Sequence, residues 1–419
     1  MLTQVQPKRK SFSQYKQFIN TREYLSIKEI SKKCSNLKVV HINSTSAKEG
    51  GGVAQMLTSL IPLFNSLGVK SEWYSFLAPE KFFEITKKIH NSLQGSKQGL
   101  TETEKKYYIS INKKLAKEID KLKCDILVVH DPQPLAAIYY CKKLKSIKKI
   151  IRIHIDLSKP NKDSFNFVRK YFEYFDRILL SSFDYINRGL DYNKIVIIYP
   201  AIDPLAIKNI KLTSKEAKKI ISNLGIDVTR PIICQVSRLD PFKDPIGVID
   251  VYRQLKKKIK NLQLVLMGVL VAKDDPEAIE ILQKVIKHKQ DDKDIHLFYD
   301  INQLKNYDIA EVVNALQTVS DVVLQKSLRE GFGLTVTEAM WKTKPVVAGN
   351  VGGIRLQITD GRDGFLINNK KQAVLRSLEL FNNKDLNKKM GQRAKRAVRR
   401  KFLITRLIHD YLKLFESLS

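Results

Sequence analysis

The sequence predicts an α/β protein built of two Rossmann-like domains facing each other across a cleft, on three observations. From about residue 37 onward, short apolar runs of strand length alternate with helix-period segments. The alternation breaks at Pro200-Ala201-Ile202-Asp203-Pro204, passes through a polar helix over 211–224, and then restarts. Each half carries a glycine loop between a strand and a helix, Gly50-Gly51-Gly52 in the first and Gly331-Phe332-Gly333 in the second. At 419 residues the chain is too long for one ordinary core and suits two of comparable size. The domains are expected at 36–205 and 206–395. An N-terminal extension is expected at 1–35, and a C-terminal helix at 396–419 is placed to pack back on the first domain.

Residues 1–35 are polar and basic with short apolar groups, which reads as a helical or loose extension. A strand follows at 37–43, then the three glycines and an amphipathic helix over 53–67, the opening unit of a doubly wound sheet. The spacing is not G-x-G-x-x-G, which disfavours a dinucleotide-dependent dehydrogenase. Residues 70–76 are extended, 102–122 form a charged helix, and strands are expected at 125–130, 149–156, 176–181 and 195–199. Three of these strand ends carry polar groups, including His130, Asp131, Gln133, His154 and Asp156. In open parallel sheets ligands bind outside the carboxyl ends of strands, so these groups stand where chemistry would be placed.

The second half reads as strands at 231–236, 263–268, 295–298, 322–324 and 345–349. After the first of them comes Ser237-Arg238-Leu239-Asp240-Pro241-Phe242-Lys243-Asp244, which offers two cations, Arg238 and Lys243, for a diphosphate. After 322–324 comes Glu330-Gly331-Phe332-Gly333-Leu334-Thr335-Val336-Thr337-Glu338. Gly331 and Gly333 let backbone approach a ligand, and amides of a helix starting near Thr335 form an anion seat. Glu330 and Glu338 bracket that seat, and carboxylates accept hydrogen bonds from ribose and sugar hydroxyls. Thr335-Val336-Thr337-Glu338 also spells a capping box, in which Glu338 serves only its own helix start.

Lys and Arg outnumber Asp and Glu by 74 to 43, a formal charge of +31. The lysines lie on polar helix faces, as in Lys256-Lys257-Lys258, and no nucleic-acid signature accompanies them, so a solvated basic surface without a specific nucleic-acid partner is expected. The apolar runs are far shorter than the roughly 18 residues a membrane span needs, and no apolar segment follows Lys8-Arg9-Lys10. No membrane insertion and a cytoplasmic location are the expectation. Cys34, Cys124, Cys141 and Cys234 lack paired spacing, and the acidic runs Asp274-Asp275 and Asp291-Asp292-Lys293-Asp294 lack a second ligand cluster, so no metal site is assigned.

Arg238 with Lys243, Glu330 spaced seven residues from Glu338, the Gly50-Gly51-Gly52 loop and the twin layout resemble the E-x7-E retaining glycosyltransferases of GT-B fold. Val40-His41-Ile42-Asn43, His90-Asn91-x-Leu93-Gln94-Gly95, Val129-His130-Asp131-Pro132-Gln133-Pro134, Arg152-x-His154-Ile155-Asp156 and Gln235-Val236-Ser237-Arg238 resemble, more narrowly, the trehalose glycosyltransferring synthases and their relatives the retaining trehalose phosphorylases. Phe242 and Ile246 stand where that family carries bulkier aromatics.

The resemblance implies a hexosyltransferase that makes α,α-trehalose from a nucleoside diphosphate glucose (UDP, ADP or GDP) and glucose, reversibly and with retention. It implies no required cofactor and no metal. Arg238 and Lys243 would neutralise the leaving diphosphate, Glu338 would hold the ribose, and Glu330 would bind sugar hydroxyls near the reacting carbon. Backbone over Gly331, Phe332, Gly333, Leu334 and Thr335 would support phosphates and sugar, and Gly51 and Gly52 would close over the donor. His154 would lie beside the reacting glucosyl unit, with Asn43, Asp131, Gln133 and Asp156 as acceptor-glucose ligands. A trehalose phosphorylase, a transferase with a lipid-linked acceptor and a non-catalytic basic binding protein are the other readings, and a homodimer is left open.

Overall fold

The computed structural model describes residues 1–44, 51–269 and 276–419; Gly50 of the first glycine loop and Asp274-Asp275 lie outside them. The chain forms two compact units, Met1–Ala201 with Ile404–Ser419, and Ile202–Leu403.

In the first unit, strands β1 (Leu2–Val5), β2 (Lys38–Asn43), β3 (Lys70–Phe76), β4 (Ile126–His130), β5 (Lys148–Arg152), β6 (Arg177–Leu180) and β7 (Ile195–Ile197) form one sheet in the order β1-β3-β2-β4-β5-β6-β7. All neighbours are parallel except β1, which pairs antiparallel with β3. The central strands β2 and β4 are buried almost throughout, because parallel strands are covered on both faces. From β2 the chain moves outward to β3 and returns across β2 to β4, so the carboxyl ends of β2 and β4 lie at the point where strand order reverses.

In the second unit, β8 (Ile232–Val236), β9 (Gln263–Met267), β10 (Ile295–Phe298), β11 (Val322–Gln325), β12 (Val346–Gly349) and β13 (Phe365–Ile367) are parallel in the order β10-β9-β8-β11-β12-β13. This is the 3-2-1-4-5-6 arrangement of a dinucleotide-type Rossmann domain, with its reversal between β8 and β11. The loops after those two strands carry Lys243 and Glu330.

The first 35 residues are not a loose extension. β1 closes a sheet edge, and the helix Thr21–Lys33 packs on the C-terminal helix Ile404–Glu416, whose Ser26–His409 and Lys33–Glu416 contacts pin the two together. Four-residue β1 gives too short an alternation to be seen in sequence, and only its pairing with β3 makes it a strand. The segment 80–93, to which the sequence pattern assigned no element, is the helix Glu80–Leu93; Phe82, Ile85, Ile89 and Leu93 are buried at helical spacing. The division between units falls at 201/202 rather than 205/206. The Asn314 amide donates to the Ile207 and Ile210 carbonyls, and the Trp341 indole to that of Asn209, which ties 207–210 to the second unit. The return crossing falls at 403/404 rather than 395/396: helix Lys384–Lys401 belongs to the second unit, and only Ile404–Glu416 packs on the first. Among the described residues no helix is long and apolar enough to cross a membrane.

Candidate active site

The loop after β11 enters the helix Leu334–Trp341 through Gly333, which caps it in the left-handed region at φ 84°. A side chain there would carry strain, and its Cβ would stand 3.0 Å from Glu330 Cγ. Because Gly333 is the cap, Glu338 sits in the second helical turn and forms no capping box. Its residue is 1% exposed, and its Oε2 has no hydrogen-bond partner among the described residues. An unsatisfied buried carboxylate oxygen costs on the order of 1–3 kcal/mol, so it marks a place for a donor hydroxyl. One turn on, Lys342 donates to the Glu338 carbonyl at 3.1 Å, and burial pushes its amine down to about 8.

Glu330 is the hub of the loop. Its Oε2 accepts from Lys243 Nζ at 2.6 Å and from Ser327 Oγ at 3.2 Å, with the Lys243 and Glu330 side chains only 13% and 11% exposed. Lys243 is presented by the turn Pro241–Lys243, capped by Asp240, and Gln235 at the end of β8 holds its carbonyl at 2.8 Å. The two loops are further joined by Leu328 N–H donating to the Phe242 carbonyl at 2.7 Å and by the Arg329 guanidinium over the Phe242 ring at 5.3 Å. Arg238 is not drawn into this cluster. Its side chain is 76% exposed and its hydrogen bond goes to Asp240 at 3.2 Å.

Beneath the glycines, the Gln357 amide donates to the Phe332 carbonyl and the Thr337 hydroxyl donates to Gln357 Oε1. Gln317 donates to the Thr335 carbonyl at 3.1 Å, and Gly353 N–H to that of Glu330 at 3.2 Å. Lys326, 8% exposed, pairs with Asp244, which also caps the helix Pro245–Lys256. Sequence reasoning did not single out Lys326, Asp244 or Gln357; the available signal was a lysine directly after an apolar strand and ahead of a glycine loop.

In the first unit, Gly51 caps the helix Gly52–Ser66 with φ 91°. Asp131, in the left-handed region at φ 64°, accepts the His154 amide at 2.8 Å. Burial pushes its carboxyl up to about 7, against the opposing pull of that amide and of Arg152. Gln133, just beyond the end of β4, keeps a buried Oε1 without a partner among the described residues. Asp156 Oδ1 caps its own turn at Ser158 N (2.8 Å). Asn43 is 3% exposed and its carboxamide oxygen accepts the Trp73 indole at 2.6 Å, so that oxygen is engaged in packing the strand end.

Because the folded Asp131 carboxyl holds its proton more tightly than the unfolded one, its contribution to stability is full below about pH 4 and is lost as pH rises toward 7. Asp131→Asn keeps the acceptor oxygen and tolerates the positive φ. Its melting temperature relative to wild type should therefore climb between pH 4 and pH 8 in calorimetry. A difference independent of pH would remove the burial effect.

Two Rossmann units, one with a cation and a carboxylate joined over a glycine loop at its strand reversal, define a GT-B glycosyltransferase. Residues 216–397 match the model "Glycosyl transferases group 1", and residues 41–187 match "Trehalose synthase, N-terminal domain". The chain is 42% identical to the trehalose synthase of Pyrococcus horikoshii over 412 residues, covering 98% of this chain and 97% of that protein. It belongs to the trehalose synthase family. The trehalose phosphorylase of Grifola frondosa is 27% identical, over 84% of this chain and 53% of that protein. An E. coli trehalose-6-phosphate structure bound with UDP-2-fluoro glucose shares the fold at TM-score 0.72, with 13% identity over 90% of this chain and 99% of that one.

Proposed function

We propose that this enzyme moves glucose from a nucleoside diphosphate glucose onto free glucose, giving α,α-trehalose with retention, and that it also catalyses the reverse. The observation that carries the reading is the 2.6 Å Lys243–Glu330 pair over the glycine loop, in a chain 42% identical along its length to a trehalose synthase. Lys243 and Arg238 take the charge of the departing diphosphate, the exposed Arg238 turning onto it from Asp240. Backbone amides from Gly331 to Thr335 support the phosphates, helped by the positive end of the helix dipole. Glu330 accepts from sugar hydroxyls near C1, and the unpartnered Glu338 Oε2 accepts from a ribose hydroxyl. Gly51 and Gly52 give backbone contacts to the donor, and His154 stands beside the transferred glucosyl unit.

Asp131, Gln133, Asp156 and the amide of Asn43 hold the acceptor glucose. The acceptor hydroxyl oxygen forms its bond to C1 on the face from which the phosphate oxygen departs. The acceptor proton passes to that phosphate oxygen, so neither a dedicated base nor a cofactor or metal is needed. UDP, ADP and GDP donors all fit this scheme, because none of its contacts reads the base.

Trehalose incubated with enzyme and UDP, ADP or GDP should yield the corresponding sugar nucleotide and glucose. Glucose 1-phosphate formed only with inorganic phosphate would overturn the synthase reading in favour of a phosphorylase.

A further inference from the structure

Three histidines run across the carboxyl ends of β2, β4 and β5 in the first unit. His41 Nδ1 lies 3.1 Å from His130 Nε2, and His130 Nδ1 lies 3.1 Å from His154 Nε2. The rings are stacked in sequence, with centroids 5.4 Å apart in both steps. His41 is fully buried and His130 1% exposed, while His154 keeps partial exposure. Burial holds all three far below the usual imidazole range, His41 at about 3, and the neighbouring Arg152 adds to this at His130 and His154. Each ring is therefore neutral near pH 7 and carries one N–H.

One N–H per ring leaves two ways to run the chain. In the first, His154 Nε2–H donates to His130 Nδ1 and His130 Nε2–H donates to His41 Nδ1. The proton of His41 is then on Nε2, which is buried and has no partner among the described residues. In the second, His41 Nδ1–H donates to His130 Nε2, and His130 Nδ1–H donates to His154 Nε2. Then His41 Nε2 is an unprotonated acceptor, and His154 carries its proton on Nδ1. Orphaned buried donors are rarer than orphaned acceptors, which selects the second direction.

We propose that His41 and His130 are positioning residues that lock His154 in the Nδ1–H tautomer, so that it offers a hydrogen-bond donor to an oxygen of the bound glucosyl group. The pattern is that of an imidazole whose free nitrogen is set by what its other nitrogen contacts. His154 Nδ1 has no protein partner among the described residues, and a neutral donor there binds a sugar hydroxyl without competing for the diphosphate. The functional half rests on the reading of this chain as a glucosyltransferase; the tautomer itself does not.

The test is the imidazole ¹⁵N spectrum of the full-length protein at pH 7, with His154 assigned by His154→Gln. The expected result is a protonated Nδ1 and an unprotonated Nε2 at His154; the reverse would overturn the proposal even if trehalose is made. His41→Asn places an amide N–H where the His41 Nδ1–H stands, and should leave the His154 signals as in wild type. His130→Phe keeps a stacked ring but removes the donor, and should shift His154 toward Nε2–H and lower kcat about tenfold or more, with a smaller change in KM. Unchanged tautomer and kcat in His130→Phe would equally overturn it. Loss of all transfer in wild type with Nδ1 protonated at His154 would instead count against the glucosyltransferase reading alone.

Discussion

Glu330→Gln is expected to lower kcat for glucosyl transfer by about 10²–10³-fold, the usual cost of removing one oriented polar group from a reacting centre. The carboxylate accepts from Lys243 at 2.6 Å and from Ser327 at 3.2 Å. It thereby orients the lysine ammonium beside the glycine loop. An amide at the same place still accepts from Lys243 through its oxygen, but it removes the charge that orients the ammonium. The fold should survive, with a fall in melting temperature of no more than roughly 8 °C, because one hydrogen-bonded group replaces another. Steady-state kinetics with thermal unfolding on the same preparation separates the two effects. Near-wild-type turnover would take Glu330 out of the mechanism.

Gly353→Ala is expected to cost about 1–3 kcal/mol and to reduce transfer by a similar order to Glu330→Gln. A Cβ at Gly353 would meet the Gly331 carbonyl oxygen and the Phe332 Cα, each at 2.6 Å. Both are backbone atoms of the glycine loop, so no rotamer relieves the clash and the loop must move. Its movement would also strain the Gly353 N–H···O=C bond to Glu330 and the Gln357 bond to Phe332. Gly353 itself has ordinary helical backbone, φ −66°, so any effect comes from lost space and not from backbone strain. Denaturant unfolding with donor KM measures it; an unperturbed KM would show that the loop tolerates displacement.

Much of the site could be read before any coordinates. Glycines after an apolar strand and before a helix are local punctuation, and so are Arg238 and Lys243 after β8. Their local character is why the loops are in the expected places. Glu338 is different: Thr335 and Glu338 satisfied the capping pattern, yet the helix is capped two residues earlier, by Gly333. A sequence pattern cannot show which residue takes the left-handed cap, because that depends on how Gly353 and Gln357 pack under the loop. Asn43 was expected as an acceptor ligand on the resemblance alone, and the contact of its carboxamide oxygen with the Trp73 indole, 30 residues away, is one that no local pattern shows. Helix Glu80–Leu93 and strand β1 escaped for opposite reasons, polar residues diluting the first pattern and brevity hiding the second.

By itself the sequence determined two Rossmann halves, a glycine-loop anion seat and the residue types that line it. Strand and helix periodicities and turn residues act over a few positions, and this chain spells them in order. The tertiary structure decided which strand ends adjoin. Parallel pairing brings β8 beside β11, so Lys243 meets Glu330 across 87 residues of chain. It likewise sets β2, β4 and β5 side by side, so that His41, His130 and His154 form one hydrogen-bonded row. Such contacts follow from strand order and register, which bring together residues that no local pattern relates.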